Sequence, residues 1–283
     1  MKLIRFGAPG FEKTGVIINN IKYDTSALGE DYNELFFESS GLTRLQNFLE
    51  INQGNLLEIG DEIRLGSPIA RPSKIICIGL NYARHAREMN IPIPAEPIMF
   101  LKSTTAVNGP YDDVVIPKNS IKTDWEVEFA IVIGKKASYV SEAEAVNYIA
   151  GYCLHNDVSE REFQMERGGT WTKGKGCDSF APLGPFLATP DEFKDINNLR
   201  LWLKVNGKVM QDGNTNDLIF KIPYIISYLS QFLTLLPGDI ISTGTPAGVG
   251  VGLKPPVFLK AGDVIELGID GLGESRQNVI AYD

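Results

Sequence analysis

Three alternating carboxylates stand directly before an uninterrupted apolar segment, and this arrangement constrains the fold more than any other feature. The pentapeptide DWEVE (residues 124–128) leads into FAIVI (residues 129–133). In an extended strand alternate side chains share one face, so Asp124, Glu126 and Glu128 project together beside a segment that belongs in a core. Like charges repel, and their burial is costly. A divalent cation resolves the conflict, and carboxylate-only ligands favour Mg²⁺ or Mn²⁺ over Zn²⁺.

The same pentapeptide has a simpler interpretation. Acidic residues that alternate with apolar ones are typical of an amphipathic strand whose acidic side faces solvent. Alternation does not distinguish the two arrangements, so the decision between a metal site and a solvated strand face depends on the rest of the chain.

Composition limits the classes of partner. A chain of 283 residues can bury one large core, or a large domain with a smaller appendage. Its net charge of −8 argues against nucleic acid or an anionic membrane as the main partner, although it leaves room for a local basic pocket that binds an anionic metabolite. Three widely spaced cysteines and no apolar N-terminal leader predict reduced thiols and a cytoplasmic location.

The chain is predicted to be a strand-rich α+β protein in two parts. Residues 1–70 form a small N-terminal β-rich domain, a proline-containing linker covers residues 66–72, and residues 71–283 form the larger domain. Strands are expected over residues 3–6, 14–18, 74–79, 113–116, 125–133, 148–155, 201–206, 239–243 and 264–269. Helices are expected over residues 42–51, 81–89, 141–149, 159–167 and 223–235.

A histidine and a glutamate are candidates for acid–base chemistry. His85 and Glu88 are three residues apart, a spacing that places both on one face of a helix. A carboxylate beside an imidazole selects its tautomer and raises its basicity, which equips the pair to deprotonate water. The alternative is an ordinary ion pair on an exposed helix.

Four further groups are candidates for binding. Arg161 and Gln164 are one helical turn apart and can point together at a carboxylate or carbonyl, or else they are solvated helix positions. Lys173 and Lys175 lie in a glycine-containing loop and would suit an anionic oxygen. His155 could ligate a metal, support a metal ligand or pack in the core, and the last two roles are favoured because a set of carboxylates already satisfies a hard ion. The glycine-rich stretch at residues 243–250 lacks the lysine of a phosphate-binding loop, so nucleotide binding is not expected.

Taken together, these segments resemble the fumarylacetoacetate hydrolase family. The matching stretches occur in family order over residues 71–283, and the N-terminal part is similar only to bacterial members with a small added domain. The stretches are IGLNYARH (78–85), DWEVE (124–128), GYCLHNDVS (151–159), the GKG segment around Lys175 and LPGD (236–239) running into TGTP (243–246). Within the family, the segment from residue 156 to residue 185 most resembles bacterial 2,4-diketo-3-deoxy-L-fuconate hydrolases, which often carry the label ureidoglycolate lyase.

The resemblance implies a mixed β-roll fold, a homodimer and a specific set of site residues. It implies Mg²⁺ or Mn²⁺ on Glu126, Glu128 and Asp157, with Asp124 outside the ligand set. Water would be activated by His85 and Glu88. Substrate would be contacted by Lys175, Arg161, Gln164 and Thr245.

The activity that the resemblance implies is hydrolysis of a C–C bond in a 2,4-diketo acid, with release of pyruvate. Decarboxylation of oxaloacetate, the ureidoglycolate lyase reaction and isomerisation of an unsaturated diacid are alternatives that use the same type of site. A metal-stabilised module that binds a metabolite without turning it over is the non-enzymatic alternative, and the intact His85–Glu88 pair counts against it.

Overall fold

The computed structural model describes residues 1–282, which form a strand-rich α+β fold, as the sequence predicts. Its nineteen strands are β1 (Lys2–Phe6), β2 (Lys13–Ile18), β3 (Ile21–Asp24), β4 (Leu65–Gly66), β5 (Ile75–Gly79), β6 (Ile98–Lys102), β7 (Val107–Asn108), β8 (Val114–Ile116), β9 (Thr123–Asp124), β10 (Val127–Ile133), β11 (Ile149–Asn156), β12 (Ser159–Glu160), β13 (Ala181–Pro182), β14 (Leu187–Ala188), β15 (Arg200–Val205), β16 (Lys208–Asn214), β17 (Ile240–Ser242), β18 (Val264–Ile269) and β19 (Gly273–Ala281). Its six α-helices are α1 (Glu34–Glu38), α2 (Gly41–Ile51), α3 (Ala83–Glu88), α4 (Glu142–Ala145), α5 (Thr172–Lys175) and α6 (Ile222–Leu229).

Two large sheets dominate the structure. A mixed ten-stranded sheet runs in the order β3-β2-β1-β14-β11-β10-β17-β5-β6, with β4 paired to β1. A five-stranded sheet runs in the order β16-β15-β18-β19-β8. Two short pairs, β12 with β9 and β13 with β7, complete the ladders. None of the helices in residues 1–282 is long and apolar enough to cross a membrane.

Strand β10 is buried on both faces, which explains its unbroken apolar sequence. Phe129 and Ile131 pack in the cluster that also contains apolar residues of β15 and β18 from the five-stranded sheet. Ala130 and Val132, on the opposite face, pack in a second cluster with α1 and α2. Because side chains alternate along a strand, Glu128 lies on the same face of β10 as Ala130, which is the face covered by helices α1 and α2.

The N-terminal residues extend the large sheet. Strand β1 pairs with β14 through Lys2–Ala188 and Leu3–Leu187, and Leu3 packs in the same cluster as Ile75. Residues 1–70 also contain helices α1 and α2 in addition to their strands. The domain boundary at residue 70 stays a prediction.

Three predicted helices differ from the structure. The stretch 159–167 begins as strand β12 and continues, after Arg161, as a π-helical turn over Glu162–Glu166. The stretch 223–235 is helical only as α6, which ends when Ser230 caps it. The stretch 141–149 contains the four-residue α4 followed by a 3₁₀ turn. In each case local periodicity predicted a longer regular element than the tertiary contacts support.

Strand β19 was missed because its buried positions are partly polar. Ser275 and Gln277 are buried together with Val279, and both polar side chains are hydrogen-bonded to the carbonyl oxygen of Pro110. A strand whose inward positions carry Ser and Gln lacks the apolar alternation on which strand prediction depends.

The two-sided burial of β10 predicts a large effect of truncating its core. Ile131→Ala should lower the free energy of unfolding by about 2–5 kcal/mol, because it leaves a cavity in a fully buried site. Ile121→Ala, at a side chain that is 72% exposed, should change the free energy by less than about 0.5 kcal/mol. Urea unfolding measures both, and equal effects would contradict the packing described for β10.

Candidate active site

Three buried carboxylates meet where β10 begins and β11 ends. One oxygen from each of Glu126, Glu128 and Asp157 lies within 4.8 Å of the other two. The backbone holds the strand ends together, because Asp157 N–H donates to the carbonyl oxygen of Glu126 at 2.9 Å and Glu126 N–H donates to Asn156 Oδ1 at 3.2 Å. The structure thus brings together the three residues predicted as metal ligands.

Two buried lysines compensate two of these carboxylates. Lys175, from α5, donates to Glu126 at 2.7 Å and to Asp157 at 2.8 Å. Lys102, from β6, donates to Asp157 at 2.5 Å and to the carbonyl oxygen of Val158 at 3.0 Å. Burial acts to raise the pKa of Asp157, yet Lys102 and Lys175 hold this pKa well below its usual range. Asp157 is therefore ionised without any metal.

Glu128 has no such cation partner. It accepts hydrogen bonds from Ser242 Oγ at 2.5 Å and from Gly244 N–H at 2.9 Å. Burial raises the pKa of Glu128 well above its usual range, and the negative charges of Asp157 and Glu126 raise it further. The charge of Glu128 thus needs a cation that the described residues do not supply.

His155 supports Glu128 through a serine. Its Nδ1 lies 2.6 Å from Ser242 Oγ, and because Ser242 donates its proton to Glu128, the imidazole Nδ1 must donate to Ser242. Burial lowers the pKa of His155 to about 3, so the ring is neutral. Its Nε2 is buried and has no hydrogen-bond partner within residues 1–282. The histidine orients a candidate ligand from behind.

The donor set fits a hard divalent cation. All three groups are carboxylates, which suit Mg²⁺ or Mn²⁺. Glu128, unpaired with any ammonium group, gives the site a charge that a bound cation would neutralise. Only three protein ligands converge, which leaves further coordination positions to water or substrate.

Asp124 does not join the carboxylate cluster, because the chain leaves the main sheet at residues 125–126. It lies in β9, which pairs with β12, whereas Glu128 lies in β10, so the expectation that the three acidic residues of DWEVE belong to one continuous strand was wrong. Asp124 accepts from Arg161 Nε at 2.8 Å and from the N–H groups of Gly250 and Val251 at 2.7 and 3.0 Å. It therefore anchors an arginine and a loop.

Arg161 lies between the cluster and Gln164. It donates to Glu126 at 2.6 Å and to Gln164 Oε1 at 3.0 Å, in addition to Asp124. Although burial opposes the charged form, Asp124 and Glu126 raise the pKa of Arg161. The predicted pairing of Arg161 with Gln164 is present, but the π-helical turn brings it about instead of an α-helix.

His85 and Glu88 form the expected pair on α3. His85 Nδ1 lies 3.0 Å from Glu88 Oε2, and the other oxygen of Glu88 accepts from Gly248 N–H at 2.9 Å. Because a carboxylate accepts, Nδ1 carries a proton, and in the neutral form of the ring this leaves the lone pair on Nε2. Gly248 has φ +108°, and an added Cβ would lie 1.9 Å from the carbonyl oxygen of Met210. Only glycine fits at this donor position.

These groups surround one cavity of about 90 Å³. Thr245, which lines it, donates to the carbonyl oxygen of Val127 at 2.9 Å and accepts from Gln211 at 2.8 Å. Seven of the nine predicted site residues line the cavity directly: His85, Glu126, Glu128, Arg161, Gln164, Lys175 and Thr245. The other two lie behind the lining, where Asp157 contacts Lys175 and Glu88 contacts His85. The chemical roles assigned to the nine stay predictions.

Sequence reasoning missed Lys102 and Ser242. Lys102 ends strand β6, which was not predicted, and pairs with Asp157 across 55 residues. Ser242 ends β17 and meets Glu128 across 114 residues. A lysine that closes an apolar run (IMFLK) is a weak local signal of a buried ion pair, whereas the serine carries no such signal.

The raised pKa of Glu128 predicts that metal binding displaces a proton. The affinity for Mn²⁺ should fall about tenfold per pH unit below this pKa and level off above it, since only the ionised form binds the metal. At pH values below this pKa, calorimetry in buffers of different ionisation enthalpy should show about one proton released per metal, and the release should disappear at higher pH. Ser242→Ala, which removes a donor to the carboxylate, should move the profile to higher pH. A pH-independent affinity would contradict this assignment.

The buried Lys102–Asp157 pair predicts a metal-rescuable loss of stability. Lys102→Met leaves Asp157 with one ammonium partner fewer and should cost about 3–5 kcal/mol in the free energy of unfolding. Saturating Mn²⁺ should raise the free energy of unfolding of the variant by more than it raises that of the native chain. Lys136→Met, at an exposed lysine, should leave both quantities unchanged. Denaturant unfolding with and without Mn²⁺ measures them.

Comparisons with known proteins match this chain over nearly its whole length. The family model for the fumarylacetoacetate (FAA) hydrolase C-terminal domain matches residues 74–280. A relative from Burkholderia cenocepacia, whose name suggests a hydrolase, is 50% identical over 281 residues, which are 98% of each chain.

Solved structures of similar proteins cover the complete chain. Maleylpyruvate hydrolase from Sphingobium sp. SYK-6, in complex with manganese(II) and pyruvate, is 32% identical with a TM-score of 0.84, and the match covers 100% of both chains. A probable 2-hydroxyhepta-2,4-diene-1,7-dioate isomerase from Mycobacterium abscessus is 30% identical with a TM-score of 0.82, again over 100% of both chains.

Proposed function

Because the chain belongs to the fumarylacetoacetate hydrolase family, we propose that it hydrolyses a C–C bond in a 2,4-diketo acid with a bound Mg²⁺ or Mn²⁺, and releases pyruvate. One observation carries the proposal: a single cavity is lined both by Glu126 and Glu128 of the carboxylate cluster and by His85 of the His85–Glu88 pair. An electrophile bound at the cluster would lie in the same enclosed space as the group that activates water.

The metal would be held by Glu126, Glu128 and Asp157. A bound divalent cation would supply Lewis-acid chemistry, drawing electron density from the oxygens of a 2-oxo acid. A manganese ion and pyruvate occur together in the similar maleylpyruvate hydrolase structure, which supports both the class of metal and a pyruvate-containing substrate.

The His85–Glu88 pair would generate the nucleophile. Glu88, held by Gly248 N–H, keeps the proton of His85 on Nδ1, so Nε2 accepts a proton from water. The oxygen of this water attacks the 4-carbonyl carbon. The bond between C3 and C4 then breaks, its electron pair leaves with the pyruvate part as an enolate, and the acyl part becomes a carboxylic acid that carries the oxygen of water. Protonation at C3 yields pyruvate.

The remaining polar groups would bind and orient the substrate. Lys175 is buried, and its pKa is raised by Asp157 and Glu126 although burial opposes the charge, so the ammonium group stays charged and, while paired with these carboxylates, would stabilise negative charge on the leaving enolate at the cluster. Arg161, Gln164 and Thr245 line the same cavity and would contact the carboxylate or carbonyl oxygens of the substrate.

Isomerisation of an unsaturated diacid is a second candidate, favoured by the similar isomerase structure from Mycobacterium abscessus. The proposed hydrolysis places one oxygen atom from water in the new carboxylic acid of the acyl product. Isomerisation and decarboxylation form no new carboxylic acid from water. Mass spectrometry of products formed in ¹⁸O-labelled water separates these reactions.

The dyad predicts a large effect on turnover. With acetylpyruvate and Mn²⁺, His85→Ala and Glu88→Gln should each lower kcat by about 10²–10⁴-fold, because each removes part of the proton acceptor for water. Arg84→Ala, at an exposed position of the same helix, should keep kcat within about threefold of the native value. Pyruvate release with and without chelator measures the effect. Near-native kcat in both dyad variants would contradict the assigned mechanism.

A further inference from the structure

Most of the cavity lining outside the polar site residues is apolar. The apolar walls come from β5 and the turn after it, from β6, from the π-helical turn, from the residue that precedes α5 and from the residue that follows the glycine-rich stretch. The side chains that form these walls are Ile78, Leu80, Phe100, Met165, Trp171 and Val251. A substrate whose carboxylate and 2-oxo group lie at the cluster would therefore extend its acyl tail along carbon surfaces.

The aromatic wall is preformed by close packing. The ring centroids of Phe100 and Trp171 lie 5.3 Å apart at an interplanar angle of 60°. A Cβ added to Gly79 would lie 2.5 Å from the Trp171 ring, so the indole occupies space that only a glycine leaves open. The side chain of Trp171 is thus held as a rigid apolar surface before any ligand binds.

The cavity offers no unengaged cation to a second carboxylate. Arg161 and Lys175 are the only Lys or Arg side chains among the described residues that line it. Arg161 is committed to Asp124, Glu126 and Gln164. Lys175 is committed to Glu126 and Asp157. Both side chains are buried at the cluster, where the head of the substrate is to bind.

The charge balance of the site also argues against a substrate with a second carboxylate. When ionised, the four carboxylates of the cluster and the arginine anchor face three cations, which leaves one net negative charge, apart from the further negative charge of Glu88 in the dyad: Asp124, Glu126, Glu128 and Asp157 against Lys102, Arg161 and Lys175. A divalent cation converts this charge to one positive, which one substrate carboxylate neutralises. A second carboxylate would be in excess, and would be desolvated against apolar walls without a partner.

We propose that the substrate carries a single carboxylate, at its 2-oxo end, and an uncharged, mainly apolar acyl tail. This inference rests on the proposed function for the position of the head group. It separates this chain from enzymes of unsaturated diacids, such as the 1,7-dioate named for the Mycobacterium abscessus structure. It also narrows the acylpyruvates that the chain would hydrolyse to those with alkyl or similarly uncharged tails.

Binding of 2-oxo acids tests the tail without requiring turnover, because these compounds have no 4-oxo group to be cleaved. Calorimetry with Mn²⁺-loaded protein would compare pyruvate, 2-oxohexanoate and 2-oxoadipate. The last two have six carbons and the same head, and differ in a terminal methyl or carboxylate. We expect 2-oxohexanoate to bind at least tenfold more tightly than 2-oxoadipate, and to gain roughly threefold over pyruvate per methylene buried.

Equal or tighter binding of 2-oxoadipate would overturn the proposal and leave the proposed hydrolysis standing. Failure of all three acids to bind would overturn the assignment of the head group, and the tail proposal with it. Hydrolysis of an alkyl acylpyruvate together with the expected binding order would support both.

A pair of variants at the cavity mouth provides the converse test. Met165 is 46% exposed and lines the cavity, so it tolerates polar replacement. Met165→Arg supplies the missing cation and should shift the ratio of the two affinities toward 2-oxoadipate by roughly fivefold, in a salt-sensitive way. Met165→Gln, uncharged and similar in size, should leave the ratio unchanged. An unchanged ratio in Met165→Arg would contradict the placement of the tail against this wall.

Discussion

Compensation of buried charge is the constraint on which the site depends. Four carboxylates are buried near one another, and the protein can fold around them only because Lys102, Arg161 and Lys175 are buried with them. The compensation is incomplete at Glu128, which faces hydrogen-bond donors but no ammonium group. The negative charge of ionised Glu128 is thus left without a cationic partner among the described residues, and a divalent cation would compensate it.

One loop connects the parts of the site that differ in chemistry. The backbone N–H groups of residues 244, 248 and 250 each donate to a different carboxylate: Glu128 of the cluster, Glu88 of the dyad and Asp124 of the arginine anchor. These donors belong to the backbone of a single segment, so the positions of metal ligand, water-activating pair and arginine are coupled. The glycine-rich loop thus supplies backbone N–H donors to protein carboxylates, whereas in a phosphate-binding loop such donors bind a phosphate group.

Local sequence patterns predicted the strands that are buried on both faces or on one whole face. The apolar run of β10 and the strands β5, β11 and β18 lie where the sequence places them, because both faces or one whole face is buried. The region after Asp157 was predicted less well, since a strand pair with β9 and a π-helical turn replace the expected helix. There Arg161 pairs with Asp124 and Glu126, contacts across 37 and 35 residues that local helical periodicity does not reveal.

The sequence by itself determined the fold class, the family and the residue types of the site, because DWEVE, His85 with Glu88, and the ordered motifs are local features of the chain. Only the tertiary structure decided that the partner of Asp124 is Arg161, that Lys102 lies against Asp157, and that Ser242 with His155 supports Glu128. It also decided that the walls of the cavity are apolar and offer no second free cation. These features arise from contacts between residues distant in sequence, where packing and electrostatics, not periodicity, set the partners.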